Sequence, residues 1–561
     1  MARTARCRLA PCRAQSIAVV VAALIVAPSS FVRAQSATSS ASRGRPLAIE
    51  DFYRLKTVGA PEMSPDGKWV AFTITTRVEA TNGETSEVWL VPSDASQPAR
   101  RVSPDGPSAE APRWTDDGQL HFMASSSAWS LDPSVPDRLV QSERVAPRDR
   151  GGRGAASGRV SIASPDGRWM ASVRDTPPPK RDVAYTSDFE KRHEDRFKGV
   201  EFDWLDFQRD GQPFPVPNRI DPEVTPPQEI FLTPNDGGGS ERQLTRLGLR
   251  PTSVNWSRDG ARLVFTADSG YRDERRYGAA QVYTVALDGS VHRITSDSEY
   301  NYTGSRFSPD GRWVLSTRQL STDAVIRKKL THGGATDLVL IPANGGPERN
   351  LTADWDYLPT NPVWGPDGRY VYFTGGVGGT NHLFRVSPNG GSVEQVTKGQ
   401  RRVNGVSFDR DFTRIAYTVG LIESPSEIYT ARIDGSDETR LTHVHDAFLD
   451  EVALGKADRL EFRSKDGTPL EGWLLYPYGY RPNGGPYPLV VSNHGGPHSA
   501  DGYQFDFKNQ YFAANGYFVL EVNFRSSTGY GEKFLWGTWG EWGTKDGQDV
   551  MAGVDYVISR M

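Results

Sequence analysis

A seven-bladed β-propeller followed by the start of a mostly parallel α/β domain is the fold class that this 561-residue sequence predicts. Three observations carry it. A four-residue turn motif ending in Asp-Gly recurs along the middle of the chain, as Ser64-Pro65-Asp66-Gly67, Thr115-Asp116-Asp117-Gly118, Ser164-Pro165-Asp166-Gly167, Ser257-Arg258-Asp259-Gly260, Ser308-Pro309-Asp310-Gly311 and Gly365-Pro366-Asp367-Gly368, with a degraded copy at Phe408-Asp409-Arg410-Asp411. Most copies are followed by a β-rich run such as Trp69-Val70-Ala71-Phe72, then an outer-strand run such as Val88-Trp89-Leu90, and several close on Leu244-Thr245, Ile294-Thr295, Leu351-Thr352, Val396-Thr397 or Leu441-Thr442. After Thr442 the period stops, and an apolar run (Leu489–Val491), a Gly-rich loop, a helical segment (Phe505–Ala514) and a second apolar run (Phe518–Val522) follow in that order. Short continuous apolar runs alternating with helices are the pattern of strands covered on both faces by crossover helices.

The first 34 residues read as a removed signal peptide. Arg3, Arg6, Arg8 and Arg13 precede an apolar stretch, Ile17–Ala27, which is too short to span a bilayer and ends at a small-residue cleavage site, Val32-Arg33-Ala34. Both cysteines, Cys7 and Cys12, lie in this segment. The mature chain is therefore expected to contain no disulfide, thiolate metal site or cysteine nucleophile. Removing five arginines and no acid takes the net charge from −4 to about −9, which argues against nucleic acid as the main partner. Residues 35–45 are Ser/Ala-rich and read as a disordered linker, and 47–56 as a short helix with Asp51 early and Lys56 late.

The propeller is expected over 46–450. Each Asp-Gly motif is a turn in which Pro presets φ and the Asp and Gly take the bent and positive-φ positions, so no chemistry is assigned to these aspartates. Most repeats are about 44 to 57 residues apart, the size of one four-stranded blade. One spacing is about 93 residues. Its excess, at about 176–228, is charged, aromatic and Pro-rich, with Phe197, Phe202, Trp204 and Phe207 arguing for a structured excursion. A Gly/Arg-rich stretch, 148–159, reads as a mobile loop.

From 451 onward Lys465-Asp466-Gly467 sits between two apolar stretches as a hairpin signal, and Lys545–Arg560 reads as a helix with Val550, Val554, Val557 and Ile558 along one face. Two motifs lie between them, His494-Gly495-Gly496-Pro497-His498 and Asn523-Phe524-Arg525-Ser526-Ser527-Thr528-Gly529-Tyr530-Gly531. In this order, after a seven-unit Asp-Gly array, they resemble the prolyl oligopeptidase family of serine peptidases, in its acylaminoacyl-peptidase and dipeptidyl-peptidase branch. The resemblance covers nearly all of the mature chain. It implies an α/β-hydrolase domain at 451–561, present as its N-terminal part, beneath a propeller that filters substrates by size. It also implies peptide substrates, a serine acyl-enzyme, no metal and no cofactor, and homodimers occur among such proteins. An HGG-type loop supplies one backbone N–H to an oxyanion hole, which makes His494, Gly495 and Gly496 the oxyanion-side residues. Glu201 and Asp203 in the excursion are the residues that could hold a substrate amino terminus, and an exposed acidic face is the other reading of the same pair.

A hydrolase of this order needs Ser, then Asp, then His after the HGG loop. No G-x-S-x-G occurs in the 561 residues: Gly238-Gly239-Ser240 and Gly390-Gly391-Ser392 lack the closing glycine. The triad is thus expected beyond Met561, and the domain at 451–561 is read as incomplete. Two classes of function follow. One is an exported, periplasmic or secreted, serine peptidase hydrolysing short peptides; the other is a non-catalytic periplasmic binding propeller resembling those of the Tol system.

Overall fold

In the computed structural model the Asp-Gly repeats do what their chemistry predicts. The structure describes residues 44–135, 138–142, 161–177, 185–197, 225–236, 238–272, 278–296 and 299–561. In most of the motifs the aspartate accepts from the Ser or Thr hydroxyl two residues earlier and from the backbone N–H two residues later. For Asp310 these partners are Ser308 Oγ at 2.6 Å and Arg312 N at 3.1 Å. The glycine that follows has φ near +70°, as at Gly67, Gly167, Gly260, Gly311 and Gly368, where an L side chain is strained. The aspartates are consumed by the turns.

Each turn separates the first two main strands of an antiparallel unit of four strands, to which the first unit adds a short fifth, Glu62–Met63. The first unit starts with Lys56–Val58 and the next four with Ala109–Trp114, Ser161–Ala163, Thr252–Trp256 and Tyr300–Phe307. The last two start with Thr360–Trp364 and Arg402–Phe408 and are joined into one eight-stranded sheet by a single parallel pair, Asn381 with Arg402. The first unit packs on the last: Val70, Phe72 and Ile74 share a buried cluster with Ala416, Ile428 and Leu441. Arg410 N also donates to Pro65 O at 3.0 Å. First-on-last packing closes the array and covers the edges that an open stack would expose.

The closing Leu-Thr or Ile-Thr pairs have a shared role that their period did not disclose. In five units the Thr hydroxyl accepts from the backbone N–H of the third strand and faces a buried polar side chain one residue earlier on that strand. The pairs are Thr245 with Glu229, Thr295 with Gln281, Thr352 with Asp337, Thr397 with His382 and Thr442 with Glu427. His382 satisfies this arrangement in its neutral form, with Nε2–H donating to Gly399 O at 3.0 Å and Nδ1 facing the Thr397 hydroxyl at 3.1 Å. Burial lowers its pKa to about 4. A buried neutral imidazole stabilises the fold above its unfolded value near 6.5, and that contribution is lost as the pH falls toward about 4. His382→Gln, which copies the Gln281 solution of an earlier unit, is expected to flatten the pH dependence of the urea midpoint between those two values.

The long excursion leaves and returns at neighbouring strands: Thr176 N donates to Pro227 O at 2.8 Å, just beyond the pairing of Asp175 with Gln228. It contains a helix, Asp188–Phe197. The signal peptide, the 148–159 stretch and the acidic pair Glu201 and Asp203 lie outside the described residues.

Two expectations at the start of the chain change. Arg45–Pro46, placed at the linker boundary, pairs in parallel with Val452–Ala453. The helix expected over 47–56 is only a 3-10 turn, Ile49–Tyr53. Its buried Asp51 accepts from Arg45, Arg54 and the Ala48 N–H, and the Arg45 hydrogen bond above all holds its carboxyl down to about 2. That local network ends the helix early and frees Lys56 to begin a strand.

Beyond the array, one sheet runs in the order Ala457–Arg463, Pro469–Leu475, Phe518–Asn523, Leu489–Ser492. Only the last pair is parallel; the others are antiparallel, so among the described residues the sheet is mixed where a mostly parallel one was expected. The crossover helix, Phe507–Ala514, is capped by Asp506, which accepts from Asn509 N at 2.8 Å. Helix Lys545–Arg560 spans the expected residues, and Val550, Val554 and Val557 of the expected face pack on the sheet core, but the stripe is shifted away from Ile558. Asp549, Ala552, Gly553 and Val557 face the sheet, whereas Ile558 is 67% exposed. A Cβ on Gly553 would come within 2.8 Å of Val522, so the backbone approaches the sheet there and sets the rotation of the helix.

Candidate active-site loop

The His494–His498 loop begins two residues beyond the Leu489–Ser492 strand, at its carboxyl end, where α/β sheets place their ligands. Gly495 and Gly496 are exposed, and their N–H groups have no acceptor among the described residues. Gly496 has φ +130°, and a Cβ there would meet His498 N at 2.9 Å. This position therefore needs glycine.

His494 does not face outward. Its imidazole stacks on the Phe524 ring at 4.6 Å, and Nε2 lies 2.8 Å from Ser527 Oγ. A Ser and a His at that distance resemble a nucleophile and its base, but Ser527 is fully buried and its hydroxyl donates to Phe524 O at 2.7 Å. The pair is a brace for the loop. It joins the two motifs that sequence presents as separate.

The rest of the Asn523–Gly531 motif holds the loop from below. Asn523, also fully buried, clamps the backbone of Asp501: Oδ1 accepts from Asp501 N at 2.8 Å and Nδ2 donates to Asp501 O at 3.0 Å. Arg525 donates through Nε and Nη2 to both oxygens of Asp549, at 2.9 and 2.7 Å, and through Nη1 to Asp466 at 2.5 Å. Tyr530 donates to Glu471, and burial, then the Glu471 carboxylate, push its phenol well above the usual range. His498 lies edge-on to Trp536 at 4.6 Å, and burial lowers its pKa.

The propeller side reaches the same place through residues that sequence reasoning missed. The hairpin between strands Val371–Val377 and Thr380–Val386 turns on Gly378-Gly379. Gly378 N donates to Gly529 O at 2.8 Å, and Tyr503 N donates to Gly379 O at 3.1 Å. A Cβ on Gly529 would stand 2.8 Å from Gly378 O, and one on Gly379 would run into the Trp473 indole and Gly502 Cα. A run of glycines facing glycines is the signal that could have located this contact. Beside it a shallow cleft is lined by Thr336, Asp356, Tyr357, Thr528 and Glu532. Asp356 Oδ1 accepts from Glu532 N there, at 2.8 Å.

Residues 503–561 match the model of the prolyl oligopeptidase family. This match contains Asn523–Gly531 and starts after the HGG loop. Over these residues the chain is similar to the prolyl oligopeptidase family. It is 22% identical over 541 residues to dipeptidyl-peptidase 5 of Porphyromonas gingivalis, covering 93% of this chain and 74% of that one. It is 32% identical over 199 residues to the uncharacterized peptidase YuxL of Bacillus subtilis, covering 36% of this chain and 30% of that one. Among solved structures it is similar to Pyrococcus horikoshii acylaminoacyl peptidase, with TM-score 0.62, 20% identity and coverage of 91% and 72%. A puromycin-hydrolyzing peptidase of Mycobacterium tuberculosis gives TM-score 0.57, 16% identity and coverage of 93% and 75%. These structural likenesses support the fold: an array of antiparallel sheets that fits a propeller, joined to an α/β-hydrolase-type sheet. Among the described residues, no helix is long and apolar enough to cross a membrane.

Proposed function

We propose that this chain supplies the propeller and the oxyanion side of a serine peptidase that cleaves short peptides through an acyl-enzyme, in the manner of the dipeptidyl and acylaminoacyl peptidases it resembles. The observation that carries this reading is the exposed Gly495 and Gly496, whose amides have no acceptor among the described residues, beside the His494–Phe524–Ser527 brace at the end of a sheet strand. Preorganised N–H donors of this kind stabilise the oxyanion of a tetrahedral intermediate, and removing one costs about 10²–10³ in rate in enzymes that use them. The seven units are read as seven blades that gate substrates by size, and the protein as exported, acting in the periplasm or outside the cell; homodimers occur among the proteins it resembles.

The 561 residues contain no G-x-S-x-G, so the chain as it stands is proposed to lack acyl-enzyme chemistry. A fluorophosphonate probe is expected to leave it unlabelled; labelling would overturn this and point to a serine within the 561 residues. Reading the genomic codons after Met561 separates the two functional classes. A G-x-S-x-G followed by Asp and His supports the peptidase. Unrelated sequence behind a verified stop would support a binding propeller instead.

A further inference from the structure

Where the propeller-side hairpin meets the HGG loop, three charged groups are packed with an incomplete set of hydrogen bonds. Arg402, at the start of the Arg402–Phe408 strand, reaches across the junction. Nη1 donates to Gln504 Oε1 at 2.6 Å, Nη2 to Ala500 O at 2.6 Å and Nε to Gly379 O at 3.2 Å. All three acceptors are neutral, so the guanidinium spends its donors on holding the loop and its charge is left to nearby groups. Those groups are Asp501 and Glu521. Glu521 is buried on the Phe518–Asn523 strand between Trp473 and Ser492 of the flanking strands, and its Oε1 accepts from Asn509 Nδ2 at 2.5 Å. Asp501 Oδ2 and Asn509 Oδ1 are buried acceptors with no donor. Two such acceptors beside a buried carboxyl are costly unless the cluster contains a further O–H.

We propose that Asp501 and Glu521 together carry one proton when the propeller is docked, so that they present a single negative charge near Arg402, and that losing this proton loosens the propeller's hold on the loop bearing His494–His498. The latch rests on the geometry of the junction and stands whether or not the loop binds an oxyanion.

Every element around the pair contributes to its charge balance. Arg402 comes from the propeller, His494 from the loop, Asp506 and Lys508 from the start of the crossover helix, and Tyr530, whose OH meets Asn523, from the far side. Lys508 is engaged with Ser492 Oγ at 3.2 Å. Burial raises both carboxyls; for Glu521, burial and then Asp501 push it up to about 8. With one proton on the pair the charges of Arg402 and the carboxyls cancel. With none, two carboxylates face one cation out of water, a state that burial opposes.

The sign follows. Opening the junction exposes Glu521 to water and returns it to the ordinary carboxylate range, so opening releases a proton. Docking is therefore strongest at acid pH and weakens as the pH rises toward about 8. Above that value both states are ionised and the dependence stops.

Hydrogen exchange on the full chain tests this, reading peptides over 377–383 and 499–506 after correction for intrinsic exchange. The opening equilibrium of these peptides is expected to rise by about tenfold per pH unit between pH 6 and 8 and to level off above. Peptides over 109–131 should show no such rise. Glu521→Gln, which keeps the shape and removes the titration, should abolish the slope. Asp501→Asn removes the repulsion that holds the proton and should bring the plateau to lower pH. A flat wild-type profile, an unchanged slope in Glu521→Gln, or an unmoved plateau in Asp501→Asn would each overturn the latch.

Discussion

Replacing Asp549 by alanine is expected to destabilise the region after Thr442 by about 3–5 kcal/mol, the usual cost of removing one partner from a buried ion pair. Asp549 is fully buried on the Lys545–Arg560 helix, and its carboxylate accepts from Arg525 Nε, Arg525 Nη2 and the Arg525 backbone N–H. Arg525 is only 6% exposed, so without Asp549 its guanidinium keeps a single carboxylate, on half-exposed Asp466. The measurement is urea denaturation followed by hydrogen exchange, which separates this region from the propeller. Asp466→Ala, by contrast, removes an exposed partner and should cost no more than about 1 kcal/mol. Replacing Arg525 and Asp549 together by apolar residues of similar volume should cost less than Asp549→Ala alone. A loss below about 1 kcal/mol for Asp549→Ala would show that the helix is not anchored by this pair.

The second large effect is expected at the Gly379–Trp473 contact. Trp473 is fully buried, and Trp473→Ala should cost about 3–5 kcal/mol through lost transfer energy and the cavity left behind. Gly379→Ala acts in the opposite direction sterically. Its Cβ would fall within the indole and against Gly502 Cα, and overpacking of this kind costs about 1–3 kcal/mol. The two changes compete for the same space, so they should not add. In the double variant the new methyl fills part of the vacated indole volume, and the combined loss should fall short of the sum by about 1 kcal/mol or more. Simple additivity in thermal or urea unfolding would mean that the hairpin does not press on Trp473.

Much of this protein is written in short-range chemistry. Ser-Pro-Asp-Gly specifies a turn through proline's fixed φ, an aspartate that bonds the chain two residues on, and a glycine at positive φ, and all three act within five residues. Six Asp-Gly turns of this kind, three of them Ser-Pro-Asp-Gly, and one degraded copy therefore mark out the array along the chain. The Leu-Thr endings were legible as punctuation, but their pairing with Glu229, Gln281, Asp337, His382 and Glu427 was not. The partner type differs in neighbouring units, and only the register of the third strand shows that these side chains occupy one position. The HGG loop was legible for the same local reason as the turns, while its brace was not. Phe524 and Ser527 lie 30 and 33 residues from His494 in the chain.

The sequence by itself determined the repeat, its turns, the strand–loop–helix–strand order and the glycines able to present free amides, because each depends on neighbours along the chain. Tertiary structure alone decided which way the final helix rolls on its sheet, where Gly378-Gly379 meets Gly502 and Gly529, and that Arg402 is set opposite Asp501 and Glu521. Those outcomes depend on backbones and charges from distant segments meeting where water is excluded. Their energies come from burial and close approach, quantities that no single stretch of residues carries.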